Sequence, residues 1–218
     1  RGPAYARNRG AAFARSSLLV FLDADVSMAP TTLEMLVRSL ESDRHRVATV
    51  GLYAAYAEKP TLATRYRTTM DNVKQSACAG EVQSFFSACG IIRSNAFWQA
   101  GGFDEWQFRA PEVEDIELGH RVVDRGGRIV LDGAIAVQHH KSWTLSSLLW
   151  DEITRRTIPG ARSLGSRWHA RSVPRLVDAP RQSVMAVTVL ASIAVIAGAM
   201  FGHVSWTVPA LLVLGLLL

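Results

Sequence analysis

Two carboxylates one residue apart, Asp23 and Asp25, follow the unbroken apolar run Leu18–Leu22. A continuous apolar run of this length predicts a strand buried on both faces, as in a parallel sheet. In open α/β sheets, ligands bind beyond the carboxyl ends of strands. Strand alternation would turn both carboxylates to one side. Two hard oxygen ligands held that close suit Mg2+ or Mn2+ carrying a phosphorylated substrate. Asp is also common where strands turn, so the spacing alone leaves a plain turn open. Asp115 lies in the first turn of a predicted helix that points into the same cleft. A carboxylate there can accept a proton from an attacking hydroxyl, worth about 10²–10⁴ in rate. Its neighbours Glu112 and Glu117 are accounted for by the helix macrodipole. His139 and His140 follow a strand end, where a neutral imidazole can bind metal and where surface polarity is the plainer reading. Arg7 could hold a diphosphate through its planar fork, or share a solvated helix face with Arg9 and Arg15.

The elements that must position these groups read as an alternation of helices and strands. Pro3 and five alanines predict a helix over Pro3–Arg15. Thr31 with Glu34 forms a capping box, with Leu33, Leu36, Val37 and Leu40 following at helical spacing. Val47–Tyr53 is a predicted strand and Leu62–Gln75 a helix, with Arg65, Arg67 and Lys74 expected in solvent. Ser84–Arg93 reads as a strand in which Gly90 permits a close backbone approach. Ser94 is expected to cap a short helix ending at Gly101-Gly102. Trp106 and Phe108 then lie in a polar stretch, where they could stack on an acceptor sugar or lipid or pack the loop. Glu112 opens the next helix, with Ile116, Gly119 and Val123 as its inner face. Arg128–Leu131 and Ala134–Gln138 are short strands. Thr144 is expected to cap a last helix bearing Leu145, Leu148, Leu149 and Ile153, with Trp143 and Trp150 near an interface.

Charge divides the 218-residue chain into three. Residues 1–154 hold 17 basic and 18 acidic side chains. Residues 155–181 hold seven Arg against Asp178, and residues 182–218 carry no Lys, Arg, Asp or Glu. This predicts a globular part over 1–154, a basic juxtamembrane linker over 155–182 and an apolar tail over 183–218. Val184–Phe201 is long enough to approach a bilayer span, and Val208–Leu218 reads as a second, truncated one. Arginines beside the span predict the cytoplasmic side of the cell membrane. The basic excess is too localised to point to nucleic acid. Cys78 and Cys89 make neither a disulfide framework nor a metal pattern, and read as small buried hydrophobes. No signal-peptide pattern is read within the sequence, and the chain, which opens on Arg1-Gly2-Pro3, is expected to be a fragment whose earlier strands are missing.

Ala6-Arg7-Asn8-Arg9-Gly10, Phe21-Leu22-Asp23-Ala24-Asp25-Val26, Gly101-Gly102-Phe103-Asp104-Glu105, Glu114-Asp115-Ile116-Glu117-Leu118-Gly119 and His139 follow one another in an order that resembles glycosyltransferase family 2, of the membrane-associated bacterial type. The resemblance covers roughly residues 2–145. It implies a GT-A fold, an α/β Rossmann-like sandwich, and inverting transfer of a sugar from a UDP- or GDP-linked donor. It implies Asp23 and Asp25 at a divalent metal (Mg2+ or Mn2+) and the diphosphate, with Asp25 the direct ligand, and His139 or His140 beside the metal. It implies Asp115 as the base and Arg7 and Asn8 on the nucleotide side. Gly102, Phe103, Asp104, Trp106 and Glu114 fall on the acceptor side. Processive membrane synthases carry Gln-x-x-Arg-Trp after their last globular helices, where this chain reads Thr154-Arg155-Arg156-Thr157. Arg155 or Arg156 is expected to reach the diphosphate. A single transfer to a lipid-linked or membrane-proximal acceptor is therefore expected rather than polymerisation.

Two other readings compete. An Asp-x-Asp pair after an apolar strand also looks like a haloacid dehalogenase-type phosphatase, with Asp23 as nucleophile and Asp25 as acid/base. That pattern leaves Ala6–Gly10 and the Gly-Gly-Phe-Asp-Glu loop unexplained. A degenerate, non-catalytic membrane scaffold is the third reading.

Overall fold

The computed structural model describes residues 2–55, 61–110, 113–151 and 154. The linker and tail expected over 155–182 and 183–218, with Arg155 and Arg156, lie outside these residues. Among the described residues no helix is long and apolar enough to cross a membrane.

The chain runs α1 (Pro3–Phe13), β1 (Leu18–Leu22), β2 (Val26–Ser27), α2 (Thr32–Glu41), β3 (Arg46–Tyr53), α3 (Leu62–Ala77), β4 (Gly80–Val82), β5 (Cys89–Arg93), α4 (Ser94–Gln99), α5 (Glu114–Asp124), β6 (Arg128–His139) and α6 (Leu145–Asp151). The sheet order is β1-β5-β3-β6, with β2 and β4 both paired to β6. Among the described residues only β3 and β6 run parallel, and the other ladders are antiparallel. The expectation of a parallel strand buried on both faces is thus corrected for β1. Its described ladder is with β5 alone, and Val20 and Leu22 on its outer face are partly exposed. The turn that matters is nevertheless where expected: β1 ends at Leu22, immediately before Asp23.

Helices cover both faces because side chains alternate along the strands. Leu19 and Phe21 of β1, Val50 of β3 and Ile92 of β5 face one core with Ala4, Phe97, Phe103 and Leu118 from the helical side. Ile91 and Val137 face the other core with Leu36 and Leu40 of α2, which are one helical turn apart. Phe21 lies at the centre of an aromatic cluster, 5.8 Å from Phe85, 5.4 Å from Phe97 and 5.3 Å from Phe103 between ring centroids. Such pairs each contribute about 0.5–1.5 kcal/mol beyond their buried area. This cluster holds α4, the loop after α4 and the segment before β5 onto the end of β1 that carries Asp23.

β6 is one strand of 12 residues where the sequence suggested two short ones. Ile129 and Leu131 face the first core, but Ile135 and Val137 face the second. These residues share parity, so the strand changes face between them. The ladder with β3 shifts register between Val50 and Leu52, and Asp132 accepts from the Ala134 amide (3.0 Å) at this point. That local irregularity is what split the apolar pattern.

Three smaller expectations are corrected. Thr31 makes no side-chain cap, and Glu34 instead pairs with Arg38 at 2.5 Å. Ser94 is inside α4, whose N-cap is Arg93. Arg67 is buried rather than solvated: it pairs with Asp71 at 2.8 Å and lies 5.2 Å from the Trp143 ring. Trp143 is likewise buried, its backbone bonded to Thr61 and Thr64 at the start of α3, while Trp150 is exposed. Thr144 does accept from the Ser147 amide at the start of α6.

Candidate active site

Arg7 stands at the junction of three elements. Its guanidinium donates to Asp23 through Nη2 and to Glu114 through Nη1, both at 2.7 Å. Asp23 is the first residue past β1, and Glu114 is the first of α5. Burial works against the charge on Arg7, but the hydrogen bonds and charges of the two carboxylates outweigh it and raise its pKa. The solvated-face alternative for Arg7 is therefore set aside. Glu114 is itself buried, so it presents no open carboxylate to a substrate.

Next to Glu114, Asp115 turns towards the loop before β5. Its Oδ2 accepts from the Ser87 amide and hydroxyl, both at 3.3 Å, and its Oδ1 accepts from the Ile116 amide at 2.8 Å. Burial, helped by the neighbouring Glu114 charge, pushes its carboxyl up to about 6, against the opposing pull of the Ser87 amide and Arg7. A carboxylate raised this far is suited to taking a proton near neutral pH.

Asp25, half-exposed, meets His139 across the β2–β6 ladder, with Oδ2 3.3 Å from Nε2. The His139 ring is stacked on Tyr53, 4.7 Å between centroids and 14° between planes, which fixes its orientation. His140 points elsewhere: its ring nitrogen meets the Ser27 hydroxyl at 2.7 Å, while its amide donates to the Asp25 carbonyl at 2.8 Å. Of the two histidines expected near a metal, the structure brings only His139 to the Asp25 carboxylate.

Tyr53, at the end of β3, ties these groups together. Burial raises its phenol pKa, and the charges of Asp23, Asp25 and Asp115 raise it further. Three carboxylates from β1's end and α5 thus act on one phenol, and all lie at one end of the sheet. Among the described residues no three His, Cys, Asp or Glu side chains gather as a metal cluster. Asp25 and His139 offer one oxygen and one nitrogen donor. That pair fits a divalent cation whose remaining positions go to substrate oxygens and water, and the imidazole favours Mn2+ over Mg2+.

The Gly-Gly-Phe-Asp-Glu loop is braced from beneath. Asn8 donates to the Phe103 carbonyl (2.8 Å) and to Glu105 (3.1 Å), and accepts from the Phe103 amide (2.9 Å). Asn8, expected on the nucleotide side, is thus buried and committed to this loop. Gly102 has φ +67°, and a Cβ there would lie 2.8 Å from Asn8 Oδ1. Phe103, expected to face an acceptor, is a core residue. Asp104 accepts from the Trp106 and Gln107 amides. Trp106 is 79% exposed while Phe108 is buried, so of the two aromatics only Phe108 packs inward. Arg121 forks onto Glu117 (2.6 Å twice) and donates to the Ala100 and Gly102 carbonyls. Arg121 was legible as an i,i+4 partner of Glu117. Ser87 and Tyr53 had no signal in the sequence, because only the folded strands bring them to Asp115 and His139.

Residues 1–101 match the model of glycosyl transferase family 2. The pre-mycofactocin glycosyltransferases of two Mycobacterium tuberculosis strains, CDC 1551 and H37Rv, are 28% identical over 190 residues. The match covers 82% of this chain but 38% of each relative, so the chain spans well under half their length. A mannosyltransferase from Pyrobaculum calidifontis, solved with GDP-Man and Mn2+, superposes with a TM-score of 0.60 at 18% identity. That superposition covers 99% of this chain and 59% of the other. The α/β fold is GT-A-like. The chain is similar to glycosyltransferases of family 2, and the matches do not favour the phosphatase reading.

Proposed function

We propose that this chain is the catalytic part of a metal-dependent, inverting family 2 glycosyltransferase. The observation that carries the reading is the Arg7 bridge. One guanidinium holds Asp23, on the donor side, and Glu114, the neighbour of Asp115, so the end of β1 and the start of α5 meet at one group. Asp115 takes the proton from the acceptor hydroxyl as that oxygen attacks the anomeric carbon. Displacement with inversion needs one base and no covalent nucleophile, and Asp115 is held by amide and hydroxyl donors in an orientation suited to that role. Asp25 and His139 would hold Mn2+ or Mg2+. A divalent cation there would neutralise the charge developing on the leaving diphosphate. Arg7 and Asp23 line the donor side, and the exposed Trp106 indole offers a stacking face to an acceptor sugar or lipid. The similarity to a mannosyltransferase solved with GDP-Man supports a nucleoside diphosphate-sugar donor.

The basic stretch 155–181 followed by the uncharged Val184–Phe201 supports a membrane-proximal or lipid-linked acceptor, with the catalytic part on the cytoplasmic face. Asp115→Asn tests the assignment. Transfer should fall at least about 10²-fold while affinity for the nucleotide-sugar is retained. Turnover kept in that variant would remove Asp115 as the base.

A further inference from the structure

We propose that Ser87, in the loop between β4 and β5, is a positioning residue that fixes the Asp115 carboxylate for proton abstraction. The inference rests on Asp115 being the base. Ser87 is buried, and both its amide and its hydroxyl are directed at the same oxygen, Oδ2. The Ile116 amide holds Oδ1. Together they set the plane of the carboxylate as well as its place.

A second, independent contact fixes the distance between Ser87 and the helix. Gly119 lies one helical turn after Asp115, on the same face of α5. A Cβ on Gly119 would lie 2.6 Å from the Ser84 carbonyl carbon and would also collide with the Phe85 amide. Helix α5 therefore rests directly on the backbone of the Ser84–Ser87 segment, which a side chain would prevent. The segment is backed in turn by β5: a Cβ on Gly90 would lie 2.7 Å from the Phe85 ring and from the Phe86 carbonyl oxygen. The loop is gripped between two glycines, and Ser87 is its point of contact with the base. The charged and titratable groups bearing on Asp115 are Glu114 on its own helix, Arg7 from α1 and Tyr53 from β3. None of these replaces the Ser87 hydroxyl.

The test follows Asp115 directly in the full chain labelled with [13C]aspartate, its signal identified by its absence in Asp115→Asn. In Ser87→Ala the carboxyl midpoint should rise by about 0.5–1 pH unit, the worth of one lost hydrogen bond to the charged form. Ser87→Thr, which keeps the hydroxyl, should restore it. In turnover of GDP-mannose the acid limb of the pH profile should move with the midpoint. The rate would fall about two- to sixfold at pH 6 and recover by pH 8.5, with KM for the donor unchanged. A midpoint that stays in place in Ser87→Ala, or an equal loss of rate at every pH, would overturn the proposal. Were Asp115→Asn fully active, the base itself would be misassigned, a failure distinct from an unresponsive Ser87→Ala beside an inactive Asp115→Asn.

Discussion

Arg7 and Glu114 are 107 residues apart in the chain and 2.7 Å apart in space. The same guanidinium reaches Asp23, so the first helix, the end of the first strand and the start of α5 meet at one planar group. A buried carboxylate and a planar fork belong together here because arginine can serve two partners without shedding its charge. Arg7→Ala removes that charge from beside buried Glu114 and should cost on the order of 3 kcal/mol. Arg7→Lys should recover only part of it, since an ammonium lacks the fork. Urea unfolding of the three proteins measures this; a loss below about 1 kcal/mol in Arg7→Ala would show that the bridge is marginal.

The raised carboxyl of Asp115 carries a signed consequence for stability. Its pKa moves from 3.8 when free to about 6 in the fold. Its contribution to stability is therefore fully present below pH 3.8 and is lost as pH rises through about 6. Asp115→Asn does not titrate. The variant's Tm relative to the wild type should accordingly be higher at pH 8 than at pH 4. Scanning calorimetry at both values checks the sign, and a variant-minus-wild-type Tm difference that falls with rising pH would contradict it. The expected pattern is a residue that serves activity at a cost in stability.

Asp25 and His139 face each other, whereas His140 does not join them. Asp25→Ala and His139→Ala should each weaken Mn2+-dependent binding of a UDP- or GDP-linked sugar donor by at least about tenfold. His140→Ala should change it by less than about twofold, because its ring is on Ser27 and its backbone amide is retained. Calorimetric titration with and without Mn2+ separates these outcomes. Equal losses in His139→Ala and His140→Ala would mean that the ring stacked on Tyr53 is not the ligand.

Arg121 braces the start of the loop after α4 through the Ala100 and Gly102 carbonyls. Arg121→Ala should cost about 1.5–3 kcal/mol, the usual worth of hydrogen bonds to a charged group. It should also make the peptide bond after Arg109 more sensitive to trypsin, since Asn8 and the buried Phe103 would then hold the loop without it. Unchanged cleavage kinetics would show that those two suffice.

Much of this site was legible from residue type and order. The apolar run before Asp23, the acids opening α5 and the His after a strand were each readable, because strand ends and helix starts have local signatures. What lay beyond reach depended on contacts between distant segments. Asn8 reads like a polar helix residue until Phe103 is folded beneath it. Arg67 reads like a solvated helix residue until Asp71 and Trp143 enclose it. β6 reads as two strands because its side chains change face at Asp132, and no periodicity survives such a switch. The antiparallel setting of β1 was hidden for a similar reason, since an apolar pentapeptide carries no record of its partner's direction.

The ladder that places Asp25 opposite His139 consists of two residue pairs, Val26 with His139 and Ser27 with Gln138. Far more of the sheet's cohesion lies deeper, where β3, β5 and β6 share the two cores. The junction is thus joined to the sheet by few ladder bonds, with the His140 contacts to Ser27 and Asp25 beside them. A ligand gripping both sides would add to those bonds, so tightness of binding and local order would rise together.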